Sequence, residues 1–150
     1  SAFGWTIQGG RITDLELGQI KNGFSDALRD DFRVLVVHHH LRELEDLGDH
    51  DVARGAHRAF EVANESGIDL ILCGHLHISH ISLVSPGGSH RSVVIATSGT
   101  STSSRGRGAD QNKNHYNLIK LSNDQLMVEE RVFRNSEDTY VRSKDHRFPR

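Results

Sequence analysis

The chain has 150 residues, enough for one ordinary domain with a buried core, and 35% hydrophobic against 25% charged residues reads as globular rather than disordered. A formal net charge of -2 excludes a generally basic surface for nucleic acid or acidic membranes, and no apolar run approaches the roughly 20 residues that span a bilayer. The single cysteine, Cys73, excludes an internal disulfide framework and fits a reducing compartment, so a cytoplasmic location is expected.

The chain opens Ser1-Ala2-Phe3-Gly4 with no basic-then-apolar signal segment, which reads as a cut; a leader further upstream stays open. Phe3 to Ile7 suits a short strand closed by Gly9-Gly10. From Asp14, apolar residues at Leu17, Ile20, Phe24, Ala27 and Leu28 follow helical spacing with one buried face. Val34-Leu35-Val36-Val37 is a continuous apolar, mostly β-branched run, as in a strand buried on both faces of a parallel sheet. His40 to His50 reads as a polar loop. Asp49 or Asp51 then caps a second helix with a buried stripe of Val52, Ala56, Ala59, Phe60 and Ala63, ended by Gly67. Ile68 to Cys73 is a second buried strand, broken by Gly74.

Beyond it, Ile78 to Val84, Ser92 to Ala96, His115 to Leu121 and Leu126 to Phe133 read as four short strands, with turns at Pro86-Gly87-Gly88 and Asn123-Asp124. A Gly/Ser/Thr/Arg stretch from Ser98 to Gly108 reads as a flexible surface loop. Residues 135–150 read as a polar tail, loose or docked. Strand-helix-strand-helix-strand followed by a meander gives an α/β fold with a mixed sheet.

Eleven histidines are the compositional oddity. Two strands joined by a helix form a right-handed parallel crossover, so the runs ending at Val37 and Cys73 bring their carboxyl ends to one sheet edge. His38 follows the first strand directly; His75 follows the second after one glycine, and His77 comes two residues later. Residues two apart in extended chain point to one side, so His38, His75 and His77 should converge. Imidazole is the commonest ligand for zinc, iron and related ions, and Gly74 would allow the sharp turn that aims His75. On spacing alone, the His75/His77 pair would chelate a single ion. His39 and His40 are second to these, lining the site or facing solvent. His57, beside Arg58 in the second helix, reads as a solvated face residue, and His80, His90, His115 and His146 have no ligand spacing. Cys73 reads as a small buried hydrophobe. Arg105 and Arg107 have the chemistry to bind a phosphate or nucleotide, set against the loop reading.

Asp69-Leu70-Ile71-Leu72-Cys73-Gly74-His75-Leu76-His77 is similar to the Gly-His-x-His block that closes the calcineurin-like metallophosphoesterase motif. Val34 to Leu41 resembles the preceding block, a buried strand ending in His-His, with His40 where a proline is usual. Gly9 to Arg33 and Ser98 to Arg105 also resemble segments of that family, so the likeness covers about residues 3 to 134.

The resemblance implies the C-terminal half of a four-layer α/β/β/α sandwich over residues 1–134, with 135–150 as a tail. It implies metal ligands at His38, His75 and His77: His38 and His75 on one ion, His77 on the other, the ions being divalent or trivalent Mn, Fe or Zn. It implies hydrolysis of a phosphomonoester or phosphodiester. The family's Asp-x-His, Gly-Asp-x-x-Asp and Gly-Asn-His-Asp/Glu blocks do not occur. Gly48-Asp49-His50-Asp51 lies downstream of His38, the wrong side for the last of these, and reads as a loop and cap. An N-terminal half of the same domain is therefore expected as partner, and the isolated chain is expected to be inactive. The alternatives are a non-catalytic protein-binding scaffold of the same fold and an unrelated histidine-rich metal-binding domain.

Overall fold

The computed structural model describes residues 10–43, 52–85 and 91–150. The strand expected at Phe3 to Ile7, the cap at Asp49 or Asp51 and the turn at Pro86-Gly87-Gly88 lie outside the described residues.

Helix α1 spans Asp14–Gly23. Its start is written in the sequence: Thr13 Oγ1 accepts the Glu16 N–H at 3.4 Å while Glu16 Oε2 accepts the Thr13 N–H at 2.7 Å, a reciprocal capping box. The Thr13 backbone donor, then its hydroxyl, holds the Glu16 carboxyl below its ordinary value. The apolar spacing predicts a helix running to Leu28, but it stops at Gly23 and Leu28 is 72% exposed. Arg33 fixes the segment after it, its guanidinium donating to the carbonyls of Leu28 at 2.9 Å and Ser66 at 2.7 Å.

Strand β1 is Val34–Val36 and helix α2 is Ala56–Glu65. The helix buries Ala56, Ala59, Phe60 and Ala63, and Val52 precedes it. Its N-cap is Gly55 at φ 84°, where a Cβ would sit 2.8 Å from the Ile12 carbonyl oxygen, so only glycine fits the approach. That approach is fixed by the Ile12 N–H donating to the Arg54 carbonyl at 2.8 Å. Gly67 ends the helix as expected. At φ 68° it donates to Asn64 O at 2.9 Å, and Ile68 N–H reaches back to Ala63 O at 3.1 Å.

Strands β2 (Leu70–Cys73), β3 (His80–Val84) and β4 (Val93–Thr97) join β1 in a sheet of order β1-β2-β4-β3. Strands β5 (His115–Leu121), β6 (Gln125–Arg134) and β7 (Thr139–Pro149) form a separate antiparallel sheet, with an irregularity in the β6–β7 register between Glu130 and Arg131. The molecule is thus mixed α/β. Two expectations are corrected. Among the described residues strand β1 is an edge strand, with Leu35 buried but Val34 and Val36 37% and 72% exposed, because burial on both faces requires layers that sequence pattern alone does not supply. The polar stretch after residue 135, expected as a loose or docked tail, is not loose but contains β7, among the described residues an edge strand, where polar side chains are tolerated.

The chain divides into two compact units, the described parts of Ser1–Ile71 with Ser85–Val93, and of Leu72–Val84 with Val94–Arg150. In the first, Leu17, Leu41, Phe60 and Ile68 are buried; in the second, Ile95, Leu126 and Val128. Among the described residues no helix is long and apolar enough to cross a membrane.

Candidate metal centre

In the first unit the histidines follow β1. The rings of His38 and His39 meet edge to face with centroids 4.8 Å apart. His38 is exposed and His39 half-buried, its ring lying against Gly10, where a Cβ would come within 2.5 Å of His39 Nδ1. His40 is fully buried, which excludes the solvent-facing role open to it in the sequence, and its carbonyl accepts the Ala53 N–H at 3.2 Å.

In the second unit, β2 ends at Cys73, whose Sγ is 3.2 Å from Thr97 Oγ1. Burial pushes the Cys73 thiol above its ordinary value, against a smaller lowering by Thr97. The segment that follows departs from the sequence reading. Gly74 does not carry the unusual backbone: His75 and His77 do, at φ 68° and 60°. Leu76 N–H donates to the Gly74 carbonyl at 2.8 Å and the Leu76 side chain is buried, which anchors the turn between the two histidines. A left-handed backbone costs a residue with a Cβ about 1 kcal/mol or more and is found where function or packing over-determines it. The argument that His75 and His77 share a side assumed extended chain, and the chain here is not extended.

His77 is held at both its ring and its backbone. Its Nδ1 lies 3.1 Å from the Arg105 carbonyl, and its own carbonyl accepts the Arg107 N–H at 3.3 Å. A carbonyl can only accept, so Nδ1 carries the proton and the lone pair sits on Nε2, as in a metal-ligating histidine with a carbonyl behind it.

The stretch Ser98 to Gly108 is not the loose loop expected. Thr100 Oγ1 donates to Ser103 O at 2.8 Å, Ser103 N–H to Asn114 Oδ1 at 3.1 Å, and His115 N–H to Thr100 O at 2.7 Å. Around it stand groups that ligand spacing did not single out. Asp110 Oδ2 accepts the Ser79 N–H at 2.7 Å, Glu130 Oε2 accepts the Ser79 hydroxyl at 2.8 Å, and Glu130 also meets His146. His115 is buried with its Nε2 3.2 Å from Asp110 Oδ1. These residues brace the segment carrying His77, and no spacing in the sequence singled them out.

Imidazole nitrogen suits zinc, iron or a related ion as a ligand atom.

No protein-family profile matches the chain, and no curated protein matches it. Solved structures similar to it include a predicted phosphoesterase from Streptococcus pneumoniae TIGR4, at 16% identity and TM-score 0.45, over 62% of this chain and 47% of that one. Wild-type Vps29 from Entamoeba histolytica, solved with zinc, is similar at 18% identity and TM-score 0.42, over 73% of this chain and 52% of that one. A double mutant of the same Vps29 aligns at 12% identity and TM-score 0.40, over 95% of this chain and 92% of that one. The chain spans about half the length of the first two.

Proposed function

We propose that the chain carries the histidine side of a metal-dependent phosphoesterase acting on a phosphomonoester or phosphodiester. The observation that carries this reading is the segment after β2: two histidines in left-handed backbone, the second with its Nδ1 committed to a carbonyl and its Nε2 left as a donor atom for a metal. His38 and His75 would hold one ion and His77 a second, with Mn, Fe or Zn as candidates. Such ions lower the pKa of a water and offset the charge that develops on phosphoryl oxygens. The chain's own part is to hold the imidazoles in the right tautomer and direction, through the Arg105 carbonyl and the Ser79, Asp110 and Glu130 brace. A bridging carboxylate and an amide ligand would come from an N-terminal half of the same domain.

The test is Mn²⁺-dependent hydrolysis of bis(p-nitrophenyl) phosphate by the product expressed from the natural start of the gene. Activity that disappears in His75→Ala supports the reading. A folded product inactive with every divalent metal would point to the non-catalytic scaffold.

A further inference from the structure

Several arginines are paired with an acid: Arg58 with Asp14, Arg91 with Asp69, Arg131 with Glu129, Arg134 with Glu137, and Arg142 and Arg147 with Asp145. Arg105 and Arg107 are not. Both are exposed, and among the described residues neither guanidinium meets a carboxylate. From Ser98 to Ala109 the chain has no acidic residue, and the Asp110 carboxylate accepts the Ser79 N–H and lies 3.2 Å from His115 Nε2. Two cations therefore stand uncompensated in one short segment.

Their backbone is nevertheless fixed, and fixed to His77. The Arg105 carbonyl takes the His77 ring N–H and the Arg107 N–H takes the His77 carbonyl, so the two arginines bracket this one histidine. Arg105 N–H donates to Ser103 Oγ at 3.1 Å, and Gly106 between them packs so tightly that a Cβ would lie 1.9 Å from the Asp110 carbonyl oxygen. A stitched backbone with two unpaired guanidiniums is pre-organised for an oxyanion, since less ordering entropy is lost on binding and each planar fork can give two charge-assisted hydrogen bonds.

We propose that Arg105 and Arg107 form an anion subsite beside His77 for a second phosphate group of the substrate, so that the preferred substrate class is a diphosphate or other phosphoanhydride-bearing ester rather than a simple monoester. This deepens the phosphoesterase reading and rests on it for the word substrate; the subsite itself rests on the loop. A single phosphate can satisfy one fork fully, whereas a pyrophosphate group spans two and carries the larger negative charge.

The test is an NMR titration of the whole chain in EDTA, metal-free, with inorganic pyrophosphate or inorganic phosphate. Mn²⁺ binding is titrated separately, because pyrophosphate chelates the metal. The expected result is pyrophosphate bound about tenfold more tightly than phosphate, with shifts centred on residues 103–107, since hydrogen bonds to charged groups carry that much. The double variant Arg105→Ala/Arg107→Ala should lose the preference while keeping the thermal melt, because both side chains are exposed, and the Lys/Lys variant should recover part of it. His75→Ala should lose Mn²⁺ and keep pyrophosphate. Equal affinity for the two anions, or a preference that survives the Ala/Ala variant, overturns the subsite even if Mn²⁺ binds. An intact pyrophosphate preference, with no Mn²⁺-dependent hydrolysis by the folded product expressed from the natural start of the gene, sinks the phosphoesterase reading and leaves the subsite standing.

Discussion

Gly106→Ala tests whether the Ser98–Gly108 segment is a built support for His77. Gly106 is buried, and an added Cβ would lie 1.9 Å from Asp110 O and 2.7 Å from Asp110 C, both backbone atoms that no rotamer change can move. The same Asp110 carbonyl accepts the Lys113 N–H at 3.0 Å. The segment must lift away from the turn at Gly108–Asp110, and the paired contacts of Arg105 O and Arg107 N–H with His77 go with it. Overpacking costs about 1–3 kcal/mol and two lost hydrogen bonds about 1 kcal/mol each, together about 3–5 kcal/mol. For a chain of this length that corresponds to a fall in Tm of roughly 6–20 °C. The control is Gly108→Ala. Gly108 has φ 56° but open space around its Cβ position, so only the left-handed backbone is penalised, by about 1 kcal/mol. The assays are thermal melting by circular dichroism and amide exchange at Arg107. If Gly106→Ala melts with the Gly108→Ala control and keeps Arg107 N–H protected, the claim that this segment supports His77 is wrong.

Thr13→Ala removes the hydroxyl that accepts the Glu16 N–H, leaving only the backbone half of the capping box, and should lower stability by about 1 kcal/mol, read from urea melts; no change would mean the hydroxyl does not cap the helix in solution. Glu129 is buried on β6, and its carboxyl is held below the ordinary value first by the hydrogen bond from Lys120 and also by Arg131, against the opposing effect of burial. A depressed folded pKa stabilises above the unfolded value, near 4.5, and that contribution is lost as pH falls through the folded value. The stability gap between wild type and Glu129→Gln should therefore shrink from about pH 6 to about pH 3, and a gap independent of pH would refute the pairing. Cys73 is buried with a raised pKa, so a thiol reagent at mildly alkaline pH should label it far more slowly in native protein than in urea. Equal rates would mean that β2 is not buried.

Local chemistry made much of the fold legible. The capping box starts α1, Gly67 ends α2 because its left-handed φ suits no other residue as well, and the β5 strand runs from His115 to Leu121 as its composition predicts. His38, His75 and His77 stand out in the sequence because each comes at or just after the end of an apolar run, a pattern that depends only on chain order. What the sequence withheld depends on neighbours far along the chain. Burial of β1 and the pairing of β7 are set by what lies beside each strand, so Val36 is exposed and the polar stretch Thr139–Pro149 is a strand. The turn after Cys73 looked like the work of Gly74, yet the left-handed residues are His75 and His77, because buried Leu76 and the Arg105 and Arg107 contacts impose that backbone from outside. Composition alone made Ser98–Gly108 a flexible loop. Only the tertiary structure joins it to Asn114, His115 and His77, since hydrogen bonds between segments leave no periodic trace in sequence.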